Sequence, residues 1–377
     1  MAAYFRYTKD SEIFGNIFMN SGTKKNPVYL TSVGTAVPPL RIDQKTGGRI
    51  LTGHYTGTLK RRSIALLEKL FDHPSIAYRH FALDEPLELF SEGLDDRIER
   101  FTKWSIELSS QAIVKALTEA QLKTEDIECL IVNTCTGYIC PGISTYLIER
   151  LGLRRNVKVY DLVGSGCGGA IPNLQLSEAM TGALTRGVAV SVSSEICSAT
   201  FQVSDDLSLL VSNTLFGDGA AAAVLSREPG GMELVGSASM CIPEQRDYIR
   251  YVYKQGQLHN QLSMQLDDYV RKAAASVVEA LLAAHELGIH DIAHWALHTG
   301  GEKIINAVRD ELGLDESKLA GTRAVLRDYG NMSSPTVYFV LQRLMEQGMQ
   351  QDDLCVMLAF GAGLSAHACL LRKACRL

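Results

Sequence analysis

Two stretches of the chain carry apolar positions at helical spacing and then run into short, continuously apolar segments. Residues 104–120 place Ile106, Ile113 and Leu117 along one face, then pass through Asp126-Ile127 into the apolar run 129–134. Residues 268–285 repeat the design with Val270, Val277 and Leu281, then pass through Asp291-Ile292 into 294–300. A period near 3.6 predicts amphipathic helices, and short apolar runs without alternation predict strands buried in a parallel sheet. Counted from the two Asp-Ile pairs, His298 falls at the position of Asn133. Cys167 and Asn331 then follow at nearly equal separations, each expected just after a short apolar run. Each is followed by a predicted helix (173–184 and 336–348) and a closing strand (187–192 and 354–360).

A βαβ order that occurs twice predicts an α/β protein of two doubly wound halves related by a pseudo-twofold axis. The expected division is a polar arm, 1–27, a first half, 28–228, and a second half, 229–377. The boundary lies in Arg227-Glu-Pro-Gly-Gly231, which reads as a turn-forming linker. Ligands of such sheets gather at the carboxyl ends of strands, where Cys167, His298 and Asn331 are all expected.

Composition narrows the partners. The 377 residues are 46% hydrophobic and 21% charged with a net charge of −5, the profile of a soluble globular protein. The basic groups Lys24-Lys25 and Lys60-Arg61-Arg62 are too short to form a nucleic-acid footprint. No apolar stretch approaches the roughly 20 residues of a bilayer span. Residues 1–27 lack the apolar core of a signal peptide, so a cytoplasmic protein is expected. The nine cysteines form no CxxC pair and no zinc-like spacing with histidine, so neither a metal site nor a disulfide framework is expected.

Three residues stand out chemically. Cys167 lies in Gly164-Ser-Gly-Cys-Gly-Gly169, where glycines permit a tight turn and a helix N-terminus favours a thiolate. His298, at a strand end before Thr299-Gly-Gly301, has the chemistry to assist that thiol and to donate to a thioester carbonyl. Asn331 has no titratable proton, but its amide can donate to an oxyanion beside His298. A Cys, His and Asn constellation serves both proteolysis and acyl transfer, and the internal repeat points to acyl transfer. Asp218, in Phe216-Gly-Asp-Gly219, reads as a turn-capping residue and His294 as supporting structure.

The chain resembles the type III polyketide synthases, the chalcone synthase-like superfamily, from about residue 28 to 371. The carrying motifs are Gly34-Thr-Ala-Val-Pro-Pro39, Cys135-Thr-Gly-Tyr138, Gly164-Ser-Gly-Cys167, Ser194-Glu195, Leu215-Phe-Gly-Asp-Gly-Ala220, His298-Thr-Gly-Gly301 and Tyr329-Gly-Asn-Met-Ser-Ser334. The catalytic trio also suits a ketoacyl-ACP synthase III. Phe216 and the Gly-Asn-Met-Ser-Ser string favour the polyketide group over that enzyme and over HMG-CoA synthase. The resemblance implies a thiolase fold, two αβαβα-layered halves with mixed five-stranded sheets, and a homodimer. It implies that Cys167 takes an acyl starter from CoA while His298 and Asn331 hold malonyl-CoA during decarboxylation, with no metal or redox cofactor.

Phe216 is then the gatekeeper of a cavity to which Cys135, Cys197, Cys140, Gly300 and Ser333 contribute. Cys135 and Cys197 replace cavity threonines of the plant enzymes, Cys140 replaces a methionine that reaches across the plant dimer, and Ala362 replaces a proline. Lys69 matches the basic cluster that grips CoA phosphate, with Arg79 as a substitute. Two product classes follow. One is a resorcinol or pyrone from a fatty acyl starter. The other, suggested by Ser194-Glu-Ile-Cys-Ser-Ala199 and Leu326-Arg-Asp-Tyr-Gly-Asn331, is that of the 3,5-dihydroxyphenylacetyl-CoA synthases, which start from malonyl-CoA.

Overall fold

The computed structural model describes residues 18–20, 27–184 and 187–374, so most of the arm 1–27 lies outside the described residues. In chain order β1 (Phe18–Asn20) lies in the arm and pairs with residues 237–239 of the second half, and the first half contains β2 (Tyr29–Ala36), β3 (Leu40–Asp43), α1 (Gln44–Tyr55), α2 (Arg61–Phe71) and β4 (Tyr78–Phe81). It continues through α3 (Leu94–Glu119), β5 (Ile127–Asn133), α4 (Ile143–Leu151), β6 (Lys158–Leu162), α5 (Ala170–Gly182), β7 (Val188–Ile196), α6 (Leu207–Leu215) and β8 (Asp218–Ser226). The second half contains β9 (Met232–Cys241), a hairpin of β10 (Ile249–Lys254) and β11 (Gln257–Leu262), α7 (Leu266–Ala283), β12 (His294–Leu297) and α8 (Glu302–Leu312). It closes with α9 (Ala320–Tyr329), α10 (Thr336–Glu346), β13 (Leu354–Gly361) and β14 (Ser365–Lys373).

The two halves share one strand plan. The first sheet runs β6-β5-β7-β8-β2, with β5 parallel to β6 and β7 and the remaining pairs antiparallel. The second runs β12-β13-β14-β9, with β12 and β13 parallel and the remaining pairs antiparallel. A short pairing of Tyr29 and Leu30 with Glu233 and Met232 joins the sheets.

The layers follow from which helices are apolar on one face and which all round. α3 buries Phe101, Leu108, Ala112 and Ile113 against the outer face of the first sheet, and α7 buries Val270, Val277 and Leu281 against the second. Both begin with aspartates (Asp95 and Asp96, Asp267 and Asp268) that complement the helix dipole. α5 and α10 lie between the sheets, and the first six residues of α10 are all buried. That gives the αβαβα order, with Leu174, Val337, Tyr338 and Val340 in a shared core.

One element departs from the repeat. The first sheet has the five expected strands, but the second has four on its path, because the segment matching β6 is the helix α9. Its sequence explains the difference. Thr322, Val325 and Leu326 are buried at helical spacing while Arg323, Arg327 and Asp328 point outward. A strand would alternate them, so Asn331 is delivered by a helix and Cys167 by a strand.

Candidate active site

The three residues reach one place by three backbone devices. Cys167 follows β6 through a tight loop into one 3-10 turn, Gly166–Gly168, and α5 starts at Ala170. Gly166 has φ +57°, and a side chain there would meet the Ala362 backbone N at 2.8 Å, so the loop lies flat on the turn between β13 and β14. His298 follows the last residue of β12, and its N–H donates to Leu358 O at 2.8 Å. Asn331 follows Gly330, whose φ +70° and ψ −155° only glycine adopts readily. The Asn331 N–H donates to Leu215 O and its C=O accepts from Gly217 N, both at 3.0 Å, so the backbones around Asn331 and Phe216 are zipped together. Cys167, His298, Asn331, Phe216, Gly300 and Phe360 all line one cavity of about 590 Å³.

Side-chain bonding aims the donors. Asn331 Oδ1 accepts from the Ser333 N–H at 2.7 Å, leaving the amide NH2 for the cavity. The His298 ring packs edge-on to Phe360 with centroids 5.2 Å apart, and its Nδ1 is buried with no hydrogen-bond partner among the described residues. An orphaned lone pair costs less than an orphaned N–H, which places the proton on Nε2. Burial pushes the imidazole down to about 3, so His298 is a neutral donor over the working pH range. Burial pushes the Cys167 thiol up to about 12; the Ser333 hydroxyl opposes this and the Glu195 charge adds to it.

The relatives identify this arrangement. Residues 233–375 match the model described as chalcone and stilbene synthases, C-terminal domain, and residues 22–284 match the FAE1/type III polyketide synthase-like protein model. The chain belongs to the type III polyketide synthase family. It is 32% identical to the 3,5-dihydroxyphenylacetyl-CoA synthase of Streptomyces toyocaensis, with 91% of this chain and 89% of that one covered. It is 28% identical to the 1,3,6,8-tetrahydroxynaphthalene synthase of Streptomyces coelicolor, with 85% and 88% covered. The crystal structure of that tetrahydroxynaphthalene synthase superposes with a TM-score of 0.86 at 25% identity, covering 92% of this chain and 100% of the other. The synthase is thus a CoA-dependent condensing acyltransferase of the thiolase fold.

The remaining expected site residues separate into those at the nucleophile and those away from it. Ser333 donates to Cys167 Sγ at 3.3 Å, and Cys135 Sγ is 3.5 Å from the same hydroxyl. Gly300 lines the main cavity. Cys197 lines a second, smaller cavity of about 70 Å³ with Phe71, Phe90 and Phe201, and Phe216 lines both cavities. Cys140 is exposed and touches neither. Lys69 is exposed on α2 beside Leu70, which lines the main cavity, while Lys303 and His73 line that cavity directly. Asp218 is a buried clamp that accepts from Ala82 N, Ser198 N and Ser198 Oγ.

Arg79 corrects the sequence reading. It is buried, and its guanidinium donates to Gln44 Oε1 at 2.8 Å, Asn213 O at 2.9 Å and Phe216 O at 2.7 Å. These hydrogen bonds run inward, to α1, α6 and the loop that carries Phe216, which argues against the CoA role expected of it. Arg79→Met strands three buried acceptors and is expected to cost roughly 3 kcal/mol of stability. Thermal denaturation should show the loss, with the affinity of the folded fraction for free CoA unchanged. A weaker affinity at unchanged stability would restore the CoA role.

Sequence reasoning singled out no role for Glu195, although the signal was present. It is a lone carboxylate inside the buried strand β7, and it is fully buried. Its Oε2 accepts from Thr134 Oγ1 (3.2 Å), Cys135 N (2.9 Å) and Thr136 Oγ1 (2.9 Å), and its Oε1 from Ser334 Oγ (2.7 Å) and Ser333 Oγ (3.4 Å).

Proposed function

We propose that the synthase loads a short acyl starter, malonyl-CoA above others, on Cys167 and extends it by iterative decarboxylative condensation with malonyl-CoA. The carrying observation is the opening of Cys167, the neutral His298 and the free amide of Asn331 into one cavity. His298 Nε2 and Asn331 Nδ2 donate to the malonyl thioester oxygen, so loss of CO2 leaves an enolate held by two hydrogen bonds rather than a free carbanion. The enolate carbon attacks the Cys167 thioester, and the lengthened chain leaves on CoA. The extended chain cyclises to a resorcinol- or pyrone-type ring.

Two observations favour a short starter. The relatives named 3,5-dihydroxyphenylacetyl-CoA synthase match along most of the chain, and the second cavity that Phe216 lines is small, about 70 Å³. A fatty acyl starter is the second reading. Its support is the apolar lining of that smaller space, by Leu51, Phe71, Leu83 and Phe90, and it requires Phe216 to swing aside.

Further parts of the reading rest on the surface. No helix among the described residues is long and apolar enough to cross a membrane, which fits a cytoplasmic enzyme. CoA thioesters supply all the chemistry, without a metal or redox cofactor. Lys69 and Lys303 hold CoA phosphate at the cavity mouth. β6 ends its sheet with Tyr160 and Val163 39% and 59% exposed and Tyr138 nearby 67% exposed. An open sheet edge of this kind, with Tyr160 exposed between Lys158 and Asp161, is covered by a second copy in a homodimer, toward which the exposed Cys140 reaches. The halves divide between residues 228 and 229.

Incubation with malonyl-CoA alone, with products read by mass spectrometry, tests the starter. The expected result is a polyketide built wholly from malonyl units. Products appearing only when a long acyl-CoA is added would move the reading to a fatty acyl starter.

A further inference from the structure

We propose that Arg79 and Gln44 are positioning residues that latch the C-terminal end of α6, and with it Phe216, as the wall between the two cavities, and so restrict the enzyme to short acyl starters. The proposal rests on the short-starter reading above.

α6 shows one face to each cavity. Val211, Thr214 and Leu215 line the main cavity, and Leu209, Ser212 and Asn213 line the smaller one. Each set repeats at three- and four-residue spacing, so the two form separate stripes on one helix. Phe216, the residue that follows the helix, lines both cavities. An acyl chain passing from Cys167 into the smaller cavity must therefore displace this helix end or the Phe216 ring.

The wall is held from outside the helix. The last carbonyls of an α-helix lack intrahelical donors. In α6 the Ser212 carbonyl accepts from the Phe216 N–H at 3.0 Å, and each later carbonyl takes its donor from another element. Arg79 Nη1 donates to Asn213 O at 2.9 Å and to Phe216 O at 2.7 Å. Gln44 Nε2 donates to Thr214 O at 2.7 Å, and the Asn331 N–H donates to Leu215 O at 3.0 Å. The guanidinium also sets a positive charge at the negative end of the helix dipole. With its own carbonyl and the three before it all fixed, Phe216 can move only by turning its ring.

The latch is itself anchored. Gln44 Oε1 accepts from Arg79 Nε at 2.8 Å, and the Gln44 N–H donates to Ala77 O at 2.9 Å, so α1 and β4 hold the two side chains as a unit. Both residues are buried. The Arg79 guanidinium carbon lies 5.6 and 5.0 Å from the ring centroids of Phe71 and Phe81, which line the smaller cavity. Its stem runs along Gly330, where an added side chain would meet Arg79 Cγ at 2.9 Å. One side chain thus touches both the wall and the glycine that delivers Asn331. A lysine ammonium is a single point of charge and does not reproduce this planar fork. Without the latch the helix end keeps only the Asn331 bond. Burying an alkyl chain against Leu51, Phe71 and Phe90 then supplies the drive to push it aside.

The test is a competition in one vessel. Malonyl-CoA and lauroyl-CoA are supplied together, and the ratio of lauroyl-primed to malonyl-primed products is read by mass spectrometry. The proteins compared are the wild type, Gln44→Met, Arg79→Lys, Phe216→Ala and the Gln44→Met, Phe216→Ala double variant. This ratio does not depend on the fraction of enzyme that is folded, so a loss of stability alone leaves it unchanged. The latch predicts a rise of at least about tenfold in Gln44→Met and in Arg79→Lys. With the Phe216 ring already removed, Gln44→Met should add less than about twofold, because the latch acts through that ring. The wild-type ratio in both Gln44→Met and Arg79→Lys overturns the proposal, as does an equal rise from Gln44→Met with and without the Phe216 ring. If Arg79→Lys does not fold, Gln44→Met alone decides. A wild type that makes mainly lauroyl-primed product defeats the short-starter reading, whereas an unchanged ratio in the variants defeats the latch alone.

Discussion

Cys167→Ala is expected to fold as the wild type and to make no polyketide, with product formation falling by at least about a thousandfold. The side chain sits in a cavity-facing turn and its removal leaves no void that must collapse, so thermal stability should stay near that of the parent. Cys135 does not take over. It shares the Ser333 hydroxyl with Cys167, but burial and the adjacent Glu195 charge raise its thiol well above the ordinary range. It also hangs from the loop after β5, away from the N-terminus of α5. Measuring both product and acyl adduct in Cys167→Ala separates loss of the nucleophile from loss of the fold.

Asn331→Ala removes one of the two donors that hold the enolate, and loss of such a donor costs about 10²–10³ in kcat. Because Asn331 Oδ1 also caps the Ser333 N–H at 2.7 Å, the alanine frees Ser333 as well. Asn331→Asp is the sharper variant. It keeps the acceptor for Ser333 N–H and the volume but replaces the amide donor by a carboxylate facing the enolate. It should be slower than the alanine, with acyl loading on Cys167 less affected than CO2 release from malonyl-CoA. Equal activity in Asn331→Asp and the wild type would remove Asn331 from the mechanism.

Much of this arrangement is legible in the chain because the fold repeats itself. The two helix-then-apolar-run segments mark α3 with β5 and α7 with β12, and the matched spacing puts Asn133 and His298 at equivalent strand ends. Asn133 fills the position in the first half structurally, donating to Ser334 Oγ at 2.9 Å, where the second half carries the imidazole. The run before Asn331 misled because a repeat argument carries a strand across to α9, although the spacing of Thr322, Val325 and Leu326 is helical. Arg79 misled for a different reason. A charged residue is read as exposed, and the acceptors that bury it come from α1 and from residues 213 and 216, far along the chain. Cys197 and Cys140 could be tied to a cavity by resemblance but not by pattern, since cavity walls are set by side-chain packing. Glu195 was visible as a charge inside an apolar strand, yet its partners include Ser333 and Ser334, which local spacing does not bring near.

The central claim is that Cys167 carries the growing chain's starter while His298 and Asn331 activate malonyl-CoA in the same cavity. Its most direct test is intact-protein and peptide mass spectrometry of the synthase quenched during turnover with malonyl-CoA and with a panel of acyl-CoAs, beside Cys167→Ala. The account predicts an acyl adduct confined to the peptide holding Cys167 and products longer by two-carbon units, both absent from the variant. Polyketide formed at the wild-type rate by Cys167→Ala would contradict it.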